Sequence, residues 1–149
     1  IYPRFHEAEF GWNHKYIWKN NLPGIEIKIS SDEKMEEVFE KYDLLIFSYV
    51  ATGFLECLFI NKPFILISNL NECPLRDKVK IDFEKLKKAK IFFENNEDAI
   101  SHLNFLSNNL NNWWNSELVK KTRFDFAKKY VNRLSKQERI NKIYKILKI

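Results

Sequence analysis

The chain has 149 residues, of which 45% are hydrophobic, 15% aromatic and 30% charged, enough apolar material for one folded domain with its own core. Gly and Pro number only 3 and 4, and no stretch approaches the roughly 20 unbroken apolar residues of a membrane span, so collagen-like and integral-membrane classes are excluded. The net charge of +5 is uneven: residues 113–149 carry 11 Lys and Arg against 3 acids, the remainder 14 against 17, a pattern of either solvated helix faces or a surface for an anionic partner.

Residues Ile1 to Leu22 are aromatic and irregular, with breaks at Pro3, Gly11 and Pro23-Gly24, and predict a long loop with one short helical turn. The abrupt start at Ile1 reads as a fragment of a longer chain. Ile25 to Ile29 then alternate apolar and polar, which predicts a strand, and Ser30 with Glu33 forms the pattern of a capping box for a helix over 32–41 with Met35, Val38 and Phe39 inward. The apolar run Asp43 to Ser48 predicts a strand buried on both faces. A polar turn, Ser48 to Gly53, leads into an apolar helix over 54–60, and Pro63 introduces a strand over 64–67.

A polar loop, Ser68 to Asp77, precedes a Lys-rich helix over 78–88 with Phe83 and Leu86 inward, and Ile91 to Phe93 read as a short strand. Asn95 or Asn96 can cap the next helix, whose Ala99, Ile100, Leu103 and Leu106 recur at helical spacing. Beyond residue 112 two helices are predicted, one with the stripe Trp114, Leu118, Val119, Phe126, Tyr130 and Leu134, the other with Ile140, Ile143, Tyr144 and Leu147, separated by Ser135. Alternating strands and helices imply a mostly parallel, doubly wound α/β sheet. Ligands in such sheets bind beyond the carboxyl ends of the strands, here just after Ile29, Phe47, Ile67 and Phe93.

Among those segments Ser48 to Glu56 carries the most chemistry. Ser48 and Thr52 offer hydroxyls and the backbone near Gly53 offers N–H groups, as a phosphate requires at a helix N-terminus; plain N-capping by Ser48 or Thr52 explains the same residues. Glu56, one turn into the helix, could accept from a ribose diol or simply offset the helix dipole. Arg4 and His6, with Glu7 and Glu9, form either an anion-binding or sugar-binding cluster or a solvated loop. Asn69 and Arg76 sit in the loop after the next strand, which could line the same crevice or be an ordinary turn. Trp113-Trp114 is a stacking platform or, at the head of an apolar stripe, core.

No Gly-x-Gly-x-x-Gly, P-loop, His-Glu-x-x-His or Gly-x-Ser-x-Gly pattern is present, which argues against dehydrogenase, NTPase, zincin and serine-hydrolase chemistry. The three histidines are dispersed and the two cysteines, Cys57 and Cys73, make no Cys-x-x-Cys pair, so no structural zinc site is expected. With no disulfide framework and no secretory leader at the start, a reducing cytosol is expected.

The segments IYPRFHEAEFGW, DLLIFSYVATGFLECLFINKPFILI and NNWWNSELVKKTRFDFAKKYV resemble a family of bacterial surface-polysaccharide transferases related to GT-B glycosyltransferases and glycerophosphotransferases. The resemblance implies the C-terminal, Rossmann-like half of a GT-B fold, with residues 1–112 as the donor-binding region and 113–149 as helices packed on it. It also implies that Ser48, Thr52 and Gly53 meet the phosphates of a nucleotide-activated donor, that Glu56 meets its ribose, and that Arg4 adds a phosphate contact. His6, Asn69 and Arg76 are further candidates. Val50-Ala51 depart from the more polar residues usual in that turn. The implied reaction is transfer to a saccharide or lipid-linked acceptor, without cofactor or metal and with the catalytic base in another half, so that this part alone would bind without turnover. Nucleic acid is not expected as a partner. A cytoplasmic protein touching the inner face of an anionic membrane through its basic helices is. The alternative is a non-catalytic nucleotide-binding or assembly module of the same fold.

Overall fold

The computed structural model describes residues 2–5, 8, 11–30, 32–72 and 74–131. The chain is mixed α/β with parallel strands in two small sheets, and it divides into two compact units, Ile1–Asp43 and Leu44–Ile149. The predicted last helix, with Ile140, Ile143, Tyr144 and Leu147, lies outside the described residues, as do Leu134, Ser135, His6 and Cys73.

In the first unit, β1 (Arg4–Phe5) pairs in parallel with β2 (Lys28–Ile29), in the register Arg4 to Lys28 and Phe5 to Ile29. Between them lies α1 (His14–Asn21), a full helix where the sequence predicts a loop. None of its residues is buried, so no apolar period marks it. Its contacts are aromatic: Phe5 stacks on His14 with centroids 5.5 Å apart and meets the edge of Trp18 at 5.9 Å.

The strand predicted over 25–29 shrinks to two residues, and the capping box does not form. The Ser30 N–H is spent on the carbonyl of Phe5 at 2.8 Å, and the chain turns at Asp32, whose carboxylate accepts from the Ile29 N–H. Helix α2 (Met35–Lys41) therefore starts late, without a side-chain cap, and Glu33 accepts from Lys41 instead. Val38 is buried as expected.

The second unit is a three-stranded parallel sheet, β3 (Leu45–Phe47), β4 (Phe64–Ile67) and β5 (Phe92–Phe93), in the order β3-β4-β5. Helix α3 (Gly53–Ile60) connects β3 to β4 and α4 (Asp77–Lys88) connects β4 to β5, as parallel pairing demands. Consecutive strand residues face opposite sides. Phe64, Ile65 and Leu66 are all fully buried, so β4 is covered on both faces and is consistent with a Rossmann-like sheet. The expectation of double burial for residues 43–48 is corrected: β3 is the edge of this sheet, and Ile46 is 41% exposed.

Helices α5 (Asn96–Trp114) and α6 (Glu117–Tyr130) close the described chain. Asn95 caps α5 through the Asp98 N–H at 2.9 Å. Helix α5 buries Ala99 and Leu106 but leaves Ile100 exposed. The two tryptophans end α5 rather than heading the next helix, because the chain turns at Asn115-Ser116. Both are core. Trp113 donates to the Ala89 carbonyl at 3.1 Å and Trp114 to that of Asn61 at 3.3 Å, so each buried indole N–H is satisfied. A web of rings, Phe54, Phe64, Phe83, Phe92, Phe126 and Trp114, joins β4 and β5 to α3, α4, α5 and α6 with centroids 5.2 to 6.5 Å apart. Cys57 sits in this core, and burial pushes its thiol up to about 12.

Two charged groups are buried with it. The Arg123 guanidinium lies 3.9 Å from the centre of the Trp114 ring, donates to the Trp114 carbonyl across the α5–α6 turn at 2.7 Å, and donates to the side chain of Asn61 at the end of α3. Asn61 can serve because it closes α3 in a left-handed conformation, φ 62°, which asparagine tolerates. Asp82 on α4 accepts from Lys129 and from the Tyr130 hydroxyl, the latter at 2.6 Å.

Candidate functional site

The carboxyl ends of β3, β4 and β5 open on a cleft of about 390 Å³. Ser48 reaches it from β3. The loop after β4 brings Ser68, Asn69 and Glu72, and the segment after β5 brings Glu94 to Glu97. These are three short stretches that each follow a parallel strand, so the common direction of the strands gathers them at one end of the sheet.

Local hydrogen bonds fix the lining. The Asn69 carboxamide oxygen accepts from the Asn71 N–H at 3.0 Å and its nitrogen donates to Glu72 at 2.9 Å, folding the loop on itself. Ser68 is tied by its backbone N–H to the Phe93 carbonyl at 3.0 Å, which extends the β4–β5 ladder to the cleft floor. Glu94 is paired with Lys87. Asn95 both caps α5 and donates to the Asp98 carboxylate at 2.9 Å.

Of the residues singled out in the sequence, Ser48 and Asn69 line this cleft and Thr52, Gly53, Glu56 and Arg76 do not. Thr52 precedes α3 and already has helical dihedrals; its side chain makes no capping bond, while its carbonyl accepts from Leu55 and Glu56 at 2.9 and 3.3 Å. The first N–H groups of α3 are therefore not capped by the side chain of that residue. Gly53 opens α3 against the ring of Phe47. Glu56 is exposed in the first turn of the helix. Arg76 is exposed at the start of α4.

Arg4 belongs to the first unit, where one guanidinium nitrogen donates to the carbonyls of Ser30 at 3.0 Å and Glu33 at 2.9 Å. These bonds hold the turn after β2. Among the described residues no group of three or more His, Cys, Asp or Glu is placed to hold a metal ion, and no helix is long and apolar enough to cross a membrane.

The loop from Ser68 to Arg76, read from the sequence as either a wall of the crevice or an ordinary turn, supplies Ser68, Asn69 and Glu72 to the lining, whereas Glu94 to Glu97 were not singled out for it. The rule for sheet ends already points to the segments after Ile67 and Phe93. Glu94 and Glu97 went unread because no motif of known spacing contains them.

A family model described as LIC12162 family transferase matches residues 1–142. The chain belongs to that family. The match runs through both compact units of this LIC12162-family transferase and includes every candidate residue named above. No curated protein and no solved structure matches the chain.

Proposed function

We propose that this LIC12162-family chain binds the nucleotide-activated donor of a transferase of surface-polysaccharide assembly, in the manner of the donor half of a GT-B enzyme. The observation that carries the reading is the cleft at the carboxyl ends of β3, β4 and β5, the place where doubly wound sheets take their ligands. Ser48 lines the cleft and begins the turn that leads into α3.

In this reading the donor phosphates lie at the start of α3. The N–H groups near Thr52 and Gly53 and the helix dipole offset their charge, and the same groups stabilise the phosphate as it leaves. Glu56 accepts from the ribose diol. Ser48 and Asn69 turn toward the transferred group. The acceptor is a saccharide or lipid-linked hydroxyl, and the basic C-terminal segment holds the protein near anionic lipid.

The test is calorimetry of the full chain against UDP, CDP, GDP, CMP and dTDP, with and without Mg²⁺, repeated for Glu56→Ala. Selective binding of one nucleotide, independent of Mg²⁺ and weakened about tenfold by the substitution, corresponds to a loss of about 1.4 kcal/mol. Absence of nucleotide binding, or binding indifferent to Glu56, would overturn the proposal.

A further inference from the structure

Helix α1 buries none of its residues, and in the first unit only Pro3 and Val38 are buried among the described residues. A helix this short does not hold in water by itself, and its stability must come from packing a face against something. One side of α1 has a partner, since His14 stacks on Phe5 and Trp18 meets the edge of the same ring. At about 3.6 residues per turn, the opposite side carries Tyr16, Lys19 and Asn20, with Lys15 and Ile17 at its margins. Trp12, just before the helix, is 63% exposed and Tyr16 is 68% exposed, and Ile17 and Leu22 are exposed as well.

The composition of this face selects its cover. Residues 11–25 contain no Asp or Glu but do contain Lys15 and Lys19, and neither lysine enters an ion pair among the described residues. A second copy of the chain docked face to face would set these lysines against one another with no carboxylate between them. A nucleic acid would stack on the rings but offers nothing apolar to Ile17 and Leu22. An anionic bilayer surface suits all three kinds of side chain. Indole and phenol rings, apolar in body and polar at the tip, settle at the headgroup level. Ile17 and Leu22 reach the acyl boundary, and the lysines meet acidic headgroups.

We propose that α1, with Trp12 before it and Leu22 after it, lies in the plane of an anionic bilayer surface, its Trp12, Tyr16 and Ile17 side chains inserted and Lys15 and Lys19 on acidic phospholipid headgroups. Lipid then supplies the packing that the first unit does not give this helix. The contact is made by a different segment from the basic C-terminal one, and it requires no nucleotide.

The experiment mixes the full chain with vesicles of phosphatidylcholine, alone or with about 30% phosphatidylserine, and repeats the series with lipids brominated on their acyl chains. Co-sedimentation is expected to show binding to the anionic vesicles and about tenfold weaker binding to the neutral ones. Brominated lipid is expected to quench tryptophan emission, and Trp12→Phe is expected to remove most of that quenching. Tyr16→Ser with Ile17→Ser is expected to weaken binding about fivefold, and Lys15→Glu with Lys19→Glu about tenfold. Melting temperatures should stay at the wild-type value, because these side chains are not buried. Trp12→Phe keeps a ring beside His14, so its result stands even should a serine variant fail to fold. No binding to anionic vesicles, quenching that survives Trp12→Phe, or binding indifferent to both double variants overturns the proposal; the last result moves lipid contact to the C-terminal segment. A dimer in sedimentation equilibrium that Tyr16→Ser dissociates assigns the face to a second copy. Quenching by an oligonucleotide that is lost in Trp12→Phe assigns it to nucleic acid. Either of these overturns the proposal too.

Discussion

A Cβ added to Gly53 would lie 2.8 Å from Cε1 of Phe47. The first residue of α3 thus touches the last residue of β3, and the absence of a side chain sets how closely helix and strand approach. Gly53 has a packing role whether or not a ligand meets its N–H.

Gly53→Ala is accordingly expected to destabilise the chain by about 1 to 2 kcal/mol, the usual scale for overpacking. Phe47→Leu should return part of that loss in the double mutant, because the two changes share one contact. Urea midpoints of the four proteins measure it; additive effects would show that the ring moves aside freely.

Arg123 joins Trp114 and Asn61 through a stacked guanidinium and two hydrogen-bonded arms. Its loss removes a cation–π contact and leaves the buried Trp114 carbonyl without this donor, so Arg123→Ala should cost about 2 to 4 kcal/mol. Arg123→Lys keeps the charge but not the planar fork and should recover less than half of that. Near-UV circular dichroism of Trp114 reports the same site, and a wild-type melting curve for the lysine variant would refute the geometry.

Asp82 titrates below its ordinary value of 3.8 because the Lys129 ammonium and then the Tyr130 hydroxyl donate to its carboxylate. A carboxyl with a depressed folded value stabilises the fold above its unfolded value, and that contribution is lost as pH falls from about 4 through the folded one. Asp82→Asn is expected to lower stability at neutral pH and to flatten its decline between about pH 4 and 2. Chemical denaturation at a series of pH values decides it.

His102 moves the other way relative to its charge. Packed against Phe93, Phe105 and Trp113 at centroid distances of 5.2 to 5.8 Å, it is held below its ordinary value of 6.5 by burial, with Lys90 adding to the effect. Here the neutral ring belongs to the folded state. Stability is therefore fully present above about pH 6.5 and falls as pH drops through that value, until the folded form is protonated too. The buried Nε2 has no partner, so His102→Phe should remove the decline between about pH 7 and 5 without loss at pH 7.5. An unchanged pH profile would place the titrating group elsewhere.

Sequence alone determined the order of elements in the second unit, since its strands are continuous apolar runs and its helices carry apolar stripes that a core selects. It also determined where ligand chemistry would lie, because parallel strands with helical crossovers put their carboxyl ends on one side; Ser48 and Asn69 follow from that rule. Helix α1 left no pattern, because burying nothing imposes no period, and Ser30 could not reveal that a ladder bond to Phe5 would pre-empt its cap. Only the tertiary structure decided which charges go inside. Arg123 and Asp82 look like ordinary surface residues until Asn61, Trp114, Lys129 and Tyr130 are brought to them from distant elements. It decided the character of the cleft as well: Ser68, Glu72 and Glu97 are far apart or unremarkable along the chain, and only their convergence at one sheet end makes an acidic, hydroxyl-bearing pocket of them.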